Sequence, residues 1–558
     1  MTDAEVNARF ASFSRMTDAV TVRLLNSSGQ VVYQTVQEID GWLRGEFLID
    51  PNNPQVTQNG TNIDGHWLPR TNRAFVVRVP DVGSGTTLQI TPGFGSKTTT
   101  VLSVDAVAAQ FIGKAVAPRS DSIPGWDHGD PANRVDVLIM GDGYTAAQEA
   151  LFTADATDLA NGWGDLDPYN EYSNYVNMRS VFTASNESGA DRPVCPTDPP
   201  AGGEDDGTLV DTAFDATFCT AGIWRLLTVD DGQIFAAAAS EPDWDHIFVV
   251  VNTPIYGGSG GDIAVLSTHA LAIDILQHEY GHSFTKLADE YDTAYPGFPA
   301  CSDTDGNQNN NCEANVTDVD NLGALKWAYW VETGTSIPTT DPLPDEQGAG
   351  LWEGARYLVT GMYRQCYNCM MRQLQRPFGY VDSETYVLRL YQGGWGVPAD
   401  GITNIEPGTE NPADSSFNLL IGDEQEVSAQ ILSPEFGPDA TASWLLDGIE
   451  VQTDNLPNGS TASYTFTATV SGTFLLQLVV LDNSTLLHPS NQTSVASTND
   501  WVINVGEGAQ LLLNGGMEND NDANKVPDGW AAKGLTGDKI KCDTEDKIFA
   551  HSGACAFR

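Results

Sequence analysis

The hydrophobic pattern changes period twice along the chain. From about Val20 to Leu102, apolar and polar positions alternate in five short runs, VTVRLLN, VVYQTVQEI, AFVVRVP, TTLQITP and TTTVLSV. Turn residues at Ser28-Gly29, Pro51-Asn52 and Asn59-Gly60 punctuate them, so the stretch reads as a small β-sandwich or meander. A short helical or disordered lead precedes it, and His66 and Trp67 read as surface or core residues within it. A Pro-, Gly- and Asp-rich linker, 118–134, follows. Val135–Met140 is a continuous apolar run of the buried-strand kind, and Trp244–Asn252 is a second. Farther on, Ile273, Leu276, Tyr280, Phe284 and Leu287 recur at spacings of three or four, which predicts an amphipathic helix.

Period two returns between about Asn404 and Val505, in EQEVSAQIL, TASWLLDGIEV, ASYTFTATV, GTFLLQLVVLD and NDWVINV. Strands about ten residues apart, with a Trp in the second group, read as an Ig-like sandwich. Residues 511–558 read as the opening of another β module, and the stop after Phe557-Arg558 as the end of a fragment. The predicted architecture is multidomain. An N-terminal all-β sandwich (1–117) precedes a central α/β (α+β) domain (118–400), an Ig-like β-sandwich (401–508) and the truncated start of a further β module (509–558).

Composition narrows this picture. The 558 residues suit three or four domains of about 100–200 residues each. Lys+Arg is 27 against 75 Asp+Glu, a net charge of −48. That excludes a general binder of nucleic acid or anionic membranes, both of which need basic patches. No run of eighteen apolar residues is present to span a membrane. Met1-Thr-Asp-Ala-Glu5 lacks an apolar signal core, so a signal is either already removed or lies upstream. The eight cysteines fall in neighbouring pairs, 195/219, 301/312, 366/369 and 542/555, and few lysines accompany them. This favours a secreted, disulfide-bearing protein, although eight cysteines allow 105 pairings. Cys366 and Cys369 form a lone C-x-x-C with no thioredoxin-like pattern around it, and a structural disulfide fits best.

The chemistry concentrates at His278-Glu279-Tyr280-Gly281-His282, an H-E-x-x-H followed seven residues later by Asp289-Glu290-Tyr291. Two histidines four apart on a helix lie about 40° apart on one face, one turn apart along the axis. That geometry lets both imidazoles reach one zinc ion, with Glu279 as general base toward water. Gly141-Asp-Gly143-Tyr-Thr-Ala146 matches a dinucleotide fingerprint by letter. The next strand, near 176–184, carries no acidic residue at the ribose distance, and a tight strand-to-helix turn explains the glycines as well. The glycine run Tyr256-Gly-Gly-Ser-Gly-Gly261 reads either as an edge where an extended substrate adds a strand or as a plain loop. Cys301–Cys312 encloses many oxygen ligands but lacks the Glu that closes an EF-hand. It reads as a disulfide-closed polar loop, with Ca2+ as the second reading.

Taken together, Arg134–Thr145, Tyr256–Gly261, His278–Tyr291, Glu353-Gly354 and Cys369-Met-Met-Arg372 resemble the bacterial IgA-specific zinc metallopeptidase family, in order over some 240 residues. The resemblance implies a secreted zinc endopeptidase with a metzincin-like catalytic domain and a protein or peptide substrate. It implies His278 and His282 as zinc ligands, Glu279 as general base and Met370 or Met371 as the methionine turn. A straight helix would carry Asp289 about 10 Å past His282, so the chain must turn back near Ser283–Lys286. Thr285-Lys286 stands where such motifs usually hold a glycine. Asp289 is the favoured third ligand, with Glu290 and then Glu353 behind it. Tyr291 and Tyr363 are candidates to stabilise an oxyanion. Two other classes remain: an adhesin or glycan-binding protein with a non-catalytic metallo-domain, contacting glycans or cell surfaces through its C-terminal β modules, and a zinc hydrolase acting on a non-peptide amide or ester.

Overall fold

The structure is a computed structural model. It describes residues 17–48, 63–70, 74–77, 79, 86–92, 100–103, 119–239, 241, 243–295, 298–307, 311–393, 401–506, 540–542 and 555–557. The chain divides into two compact units, and the described residues are β-rich with few helices. The first unit holds residues 1–404 with Leu432–Ala440 and Leu481–Ala496, and the second holds Ile405–Ile431, Thr441–Val480 and 497–558.

The first unit begins with β1 (Thr17–Leu25), β2 (Val31–Asp40), β3 (Trp42–Leu48), β4 (Ile63–Pro69), β5 (Thr87–Pro92) and β6 (Thr100–Ser103). β1, β2, β5 and β6 form one antiparallel sheet in the order β2-β1-β5-β6, and β3 and β4 form a separate hairpin. The run AFVVRVP differs from expectation, because 74–77 and 79 are not strand. Val77 and Val79 lie against the Val20, Val22 and Leu24 core instead, and the Gln37 amide caps the Val76 carbonyl. Apolar alternation recorded burial here without ladder pairing.

The centre of this unit is a six-stranded sheet in the order β11-β12-β10-β8-β9-β7. Its members are β7 (Arg119–Ser122), β8 (Val135–Asp142), β9 (Val176–Phe182), β10 (His246–Val251), β11 (Gly258–Ser259) and β12 (Ile263–Ser267). β8, β9, β10 and β12 run parallel, while β7 and β11 are antiparallel edges. The expected linker thus contains an edge strand, β7. The parallel strands are apolar on both faces because both are covered. Val135, Val137, Ile139, Phe248, Val250, Ala264 and Leu266 face the side of α1 (Glu149–Trp163) and α3 (Ala272–Ser283). The alternate residues Leu138, Met140, Ile247, Val249, Ile263 and Val265 face α2 (Asp231–Ala238) and the loops around Trp224. The Gly141–Gly143 turn is structural: a β-carbon on Gly143 would overlap the Gly189 carbonyl, and Gly141 receives the Phe152 ring.

Three disulfides, Cys195–Cys219, Cys301–Cys312 and Cys366–Cys369, join the expected neighbours. Beyond α3 come β13 (Val316–Thr317), β14 (Trp352–Ala355), β15 (Leu358–Arg364) and α4 (Tyr380–Gln392). The second unit carries β16 (Ser416–Leu420) through β22 (Ser497–Gly506) in a five-stranded and a two-stranded sheet, with Trp444 and Trp501 in contact at 5.7 Å. Of the last stretch only Ile540–Cys542 paired with Cys555–Phe557 is described; the backbone sets Cys542 opposite Cys555, and those side chains lie outside the described ones.

Candidate metal centre

α3 is built to hold one fixed orientation. Tyr280 and Phe284 stack on each other at 5.0 Å and enter the core, while Gln277 donates to the Gly162 and Trp163 carbonyls at the end of α1. Tyr169 in turn donates to the Gln277 carbonyl. His278 and His282 therefore share a buried face one turn apart, 0% and 2% exposed. Gly281 lies between them because a β-carbon there would stand 2.8 Å from the Met371 sulfur. Met370 contributes its carbonyl, 3.0 Å from His278 Nδ1. Both methionines thus sit directly beneath the histidine pair.

The helix ends at Ser283, and the chain reverses as expected, without a glycine. Lys286 adopts φ +61°, in the left-handed region. Its N–H donates to the His282 carbonyl, and the Leu287 N–H donates to Gly281, satisfying carbonyls that a helix C-terminus leaves open. Leu287, read as helical from its spacing, lies past this turn and packs into the same core. Its carbonyl then accepts from His282 Nδ1 at 2.7 Å. The turn that returns the chain also aims the second histidine.

Asp289 arrives beside the pair. Its Oδ1 is 3.0 Å from His282 Nε2 and 3.3 Å from His278 Nε2, and the two Nε2 atoms are 3.1 Å apart. With each Nδ1 proton directed at a backbone carbonyl, each Nε2 presents a lone pair, as a metal-ligating histidine does. Two imidazole lone pairs and a carboxylate oxygen converging in a buried site fit a cation, and the N2O donor set suits zinc. Burial opposes ionisation of Asp289, but when His282 and His278 carry Nε2 protons their charge and hydrogen bonds outweigh it and hold the carboxyl well below its usual range; a cation replacing those protons meets a carboxylate. His278, His282 and Asp289 can hold a metal, and among the described residues they form the group of three such side chains close enough to do so.

The alternatives fall elsewhere. Glu290 turns away to Asn315 and Gln365, and burial pushes its carboxyl up to about 7 against the pull of Arg364. Glu353 is exposed on β14 and accepts from the Gly361 N–H. Tyr291 is fully buried, its hydroxyl 3.1 Å from His278 Nε2, whereas Tyr363 packs in a separate cluster with Leu325 and Leu351. In the 301–312 loop, Asp303 is used by the Cys312 N–H, the Thr317 hydroxyl and Lys326, so calcium gains no support there.

Glu279, 2% exposed, lies against the glycine run: a β-carbon on Gly260 would overlap its carboxylate. That edge is not open to a further strand. Gly260 exchanges both backbone hydrogen bonds with Arg44 of β3 (3.0 and 2.9 Å), and the Gly258 N–H donates to the Arg225 carbonyl. The substrate-edge reading of Tyr256–Gly261 is corrected accordingly, since the chain itself supplies the neighbouring backbone.

Two contacts at this site had no sequence signal. Asp289 Oδ2 accepts from Trp67 Nε1 at 3.0 Å and from the Tyr357 hydroxyl at 2.6 Å. From sequence Trp67 reads as a surface or core residue, and nothing in the spacing links it to a residue 222 positions on.

Residues 123–348 match the family model described as IgA Peptidase M64. No curated protein matches the chain. Among solved structures, a lytic polysaccharide monooxygenase from Jonesia denitrificans aligns at 14% identity over 16% of this chain and 58% of that one, with a TM-score of 0.13. A CARDB domain from Pyrococcus furiosus aligns at 17% identity over 16% and 84%, with a TM-score of 0.13. A β-glucuronidase from Bacteroides uniformis aligns at 9% identity over 88% and 57%, with a TM-score of 0.14. Likenesses this slight carry no argument about fold or activity. The family match does bear on the site: the stretch that carries His278, Glu279, His282 and Asp289 is similar to the IgA Peptidase M64 family.

Proposed function

We propose that the protein is a secreted zinc endopeptidase, with His278, His282 and Asp289 as zinc ligands and Glu279 as general base. The observation that carries the reading is the convergence of His278 Nε2, His282 Nε2 and Asp289 Oδ1 within 3.3 Å in a buried site. Bound there, zinc would supply a Lewis acid that polarises the scissile carbonyl and lowers the pKa of water toward about 7. Glu279 accepts the proton of the attacking water and delivers it to the leaving amine. The Tyr291 hydroxyl, 3.1 Å from His278 Nε2, supports Tyr291 over Tyr363 as the donor to a developing oxyanion.

The Met370-Met371 segment under the histidines and the left-handed return to Asp289 support a metzincin-like arrangement. The sheets of the second unit support an Ig-like sandwich. Three disulfides support an oxidising, extracellular setting, and no described helix is long and apolar enough to cross a membrane. A protein substrate follows from the peptidase family.

The test is Glu279→Gln. Zinc content should stay at the wild-type level while cleavage of a protein substrate falls by about 10²–10⁴-fold or more. Wild-type cleavage by that variant would remove Glu279 from the mechanism.

A further inference from the structure

We propose that Trp67, from the N-terminal β hairpin, is a positioning residue of the metal centre, acting with Tyr357 to fix the carboxylate of Asp289. The inference rests on Asp289 being a ligand. A carboxylate can rotate about its last bond, and which oxygen faces the metal depends on what holds the other. Here Oδ1 faces the histidines, and Oδ2 takes two donors, the Trp67 indole N–H at 3.0 Å and the Tyr357 hydroxyl at 2.6 Å. The two donors also meet each other, Nε1 to hydroxyl at 2.9 Å, closing a buried triangle. Both residues lie outside the family-matched stretch 123–348.

Trp67 is itself held firmly. Arg44 is its direct cross-strand partner in the β3–β4 hairpin, and the Arg44 guanidinium sits 4.6 Å over the indole. The same Arg44 is pinned by its two backbone bonds to Gly260, the residue against which Glu279 packs. The other edge of the indole meets His282 at 5.6 Å and Phe298 at 5.6 Å, both T-shaped. A continuous set of contacts therefore runs from the glycine edge through Arg44 and Trp67 to Asp289. Tyr357 is fixed by different means: it and Arg356 are left-handed (φ +60° and +51°) in the tight turn between β14 and β15, and its N–H donates to the Tyr291 carbonyl. The left-handed pair matches the two-residue turn that strand twist prefers. Two separate regions, one from each side of the peptidase segment in sequence, converge on one oxygen.

Full-chain Trp67→Phe, Tyr357→Phe and Asp289→Asn are compared with wild type for zinc affinity, the visible spectrum of the cobalt(II)-loaded protein and the melting temperature of the metal-free protein. Phenylalanine at 67 keeps an aromatic ring against His282 and Phe298 and removes the indole donor together with part of the ring's packing, a loss that the metal-free melting temperature reads separately. Zinc affinity should fall by about 10–100-fold in Trp67→Phe, as for loss of other outer partners of a ligand. The cobalt spectrum should change with it, and Tyr357→Phe should act in the same direction. A Trp67→Phe protein with lowered metal-free melting temperature but wild-type affinity and cobalt spectrum would reduce Trp67 to packing and overturn the proposal, while Asp289→Asn still lost metal. If Asp289→Asn itself kept wild-type affinity, the ligand assignment would fall first and the positioning role with it.

Discussion

The two halves of the candidate metal centre are made in opposite ways. His278, Glu279 and His282 lie within five consecutive residues, and helical geometry alone sets the histidines on one face. Asp289 depends on a left-handed residue, on the Leu287 carbonyl that also aims His282, and on donors from Trp67 and Tyr357, 222 and 68 residues away. The helical half is local and the return half is assembled. A short motif can therefore encode the first completely and the second only through the rest of the fold.

This contrast can be broken from either side. On the helical side, after the Glu279→Gln change, the largest effect is expected from Gly260→Ala. The new β-carbon would overlap the Glu279 carboxylate, whose atoms are the three nearest to it. Catalysis should fall by about 10²-fold, the scale of a misplacement near 1 Å, with zinc content unchanged. Zinc loss alongside activity would mean that the glycine edge supports the ligands as well as the base. On the return side, Lys286 sets the scale. Lys286→Gly relieves a left-handed strain of about 1–2 kcal/mol and adds about 0.5–1 kcal/mol of unfolded-chain entropy, leaving stability and zinc affinity nearly level. Lys286→Val, β-branched at φ +61°, should lower stability in denaturant unfolding and weaken zinc. Equal behaviour of the two variants would show that the turn does not depend on that backbone conformation.

The same contrast separates what the sequence makes legible from what only the fold assembles. The buried runs at Val135–Met140 and in Trp244–Asn252 became central parallel strands because continuous apolarity marks a sheet covered on both faces. The need for a reversal near Ser283–Lys286 followed from rise per residue, but the absence of glycine hid its form. Lys286 adopts the conformation because two backbone bonds close the turn around it. The hairpin β3–β4 has no sequence signature, because Gly45 and Gly65 interrupt both strands and leave no alternating run. With it went Trp67, whose partner is set by tertiary folding alone. The run at AFVVRVP shows the converse, a strand-like pattern recording burial beside a sheet.

The central claim is that Asp289 completes the metal centre with His278 and His282. Its most direct test is the zinc content of the full chain after dialysis, for wild type and Asp289→Asn. The account predicts stoichiometric zinc in the wild type, and in Asp289→Asn an affinity loss exceeding the about 10–100-fold expected when only an outer partner is removed. Stoichiometric, tightly held zinc in Asp289→Asn would contradict it.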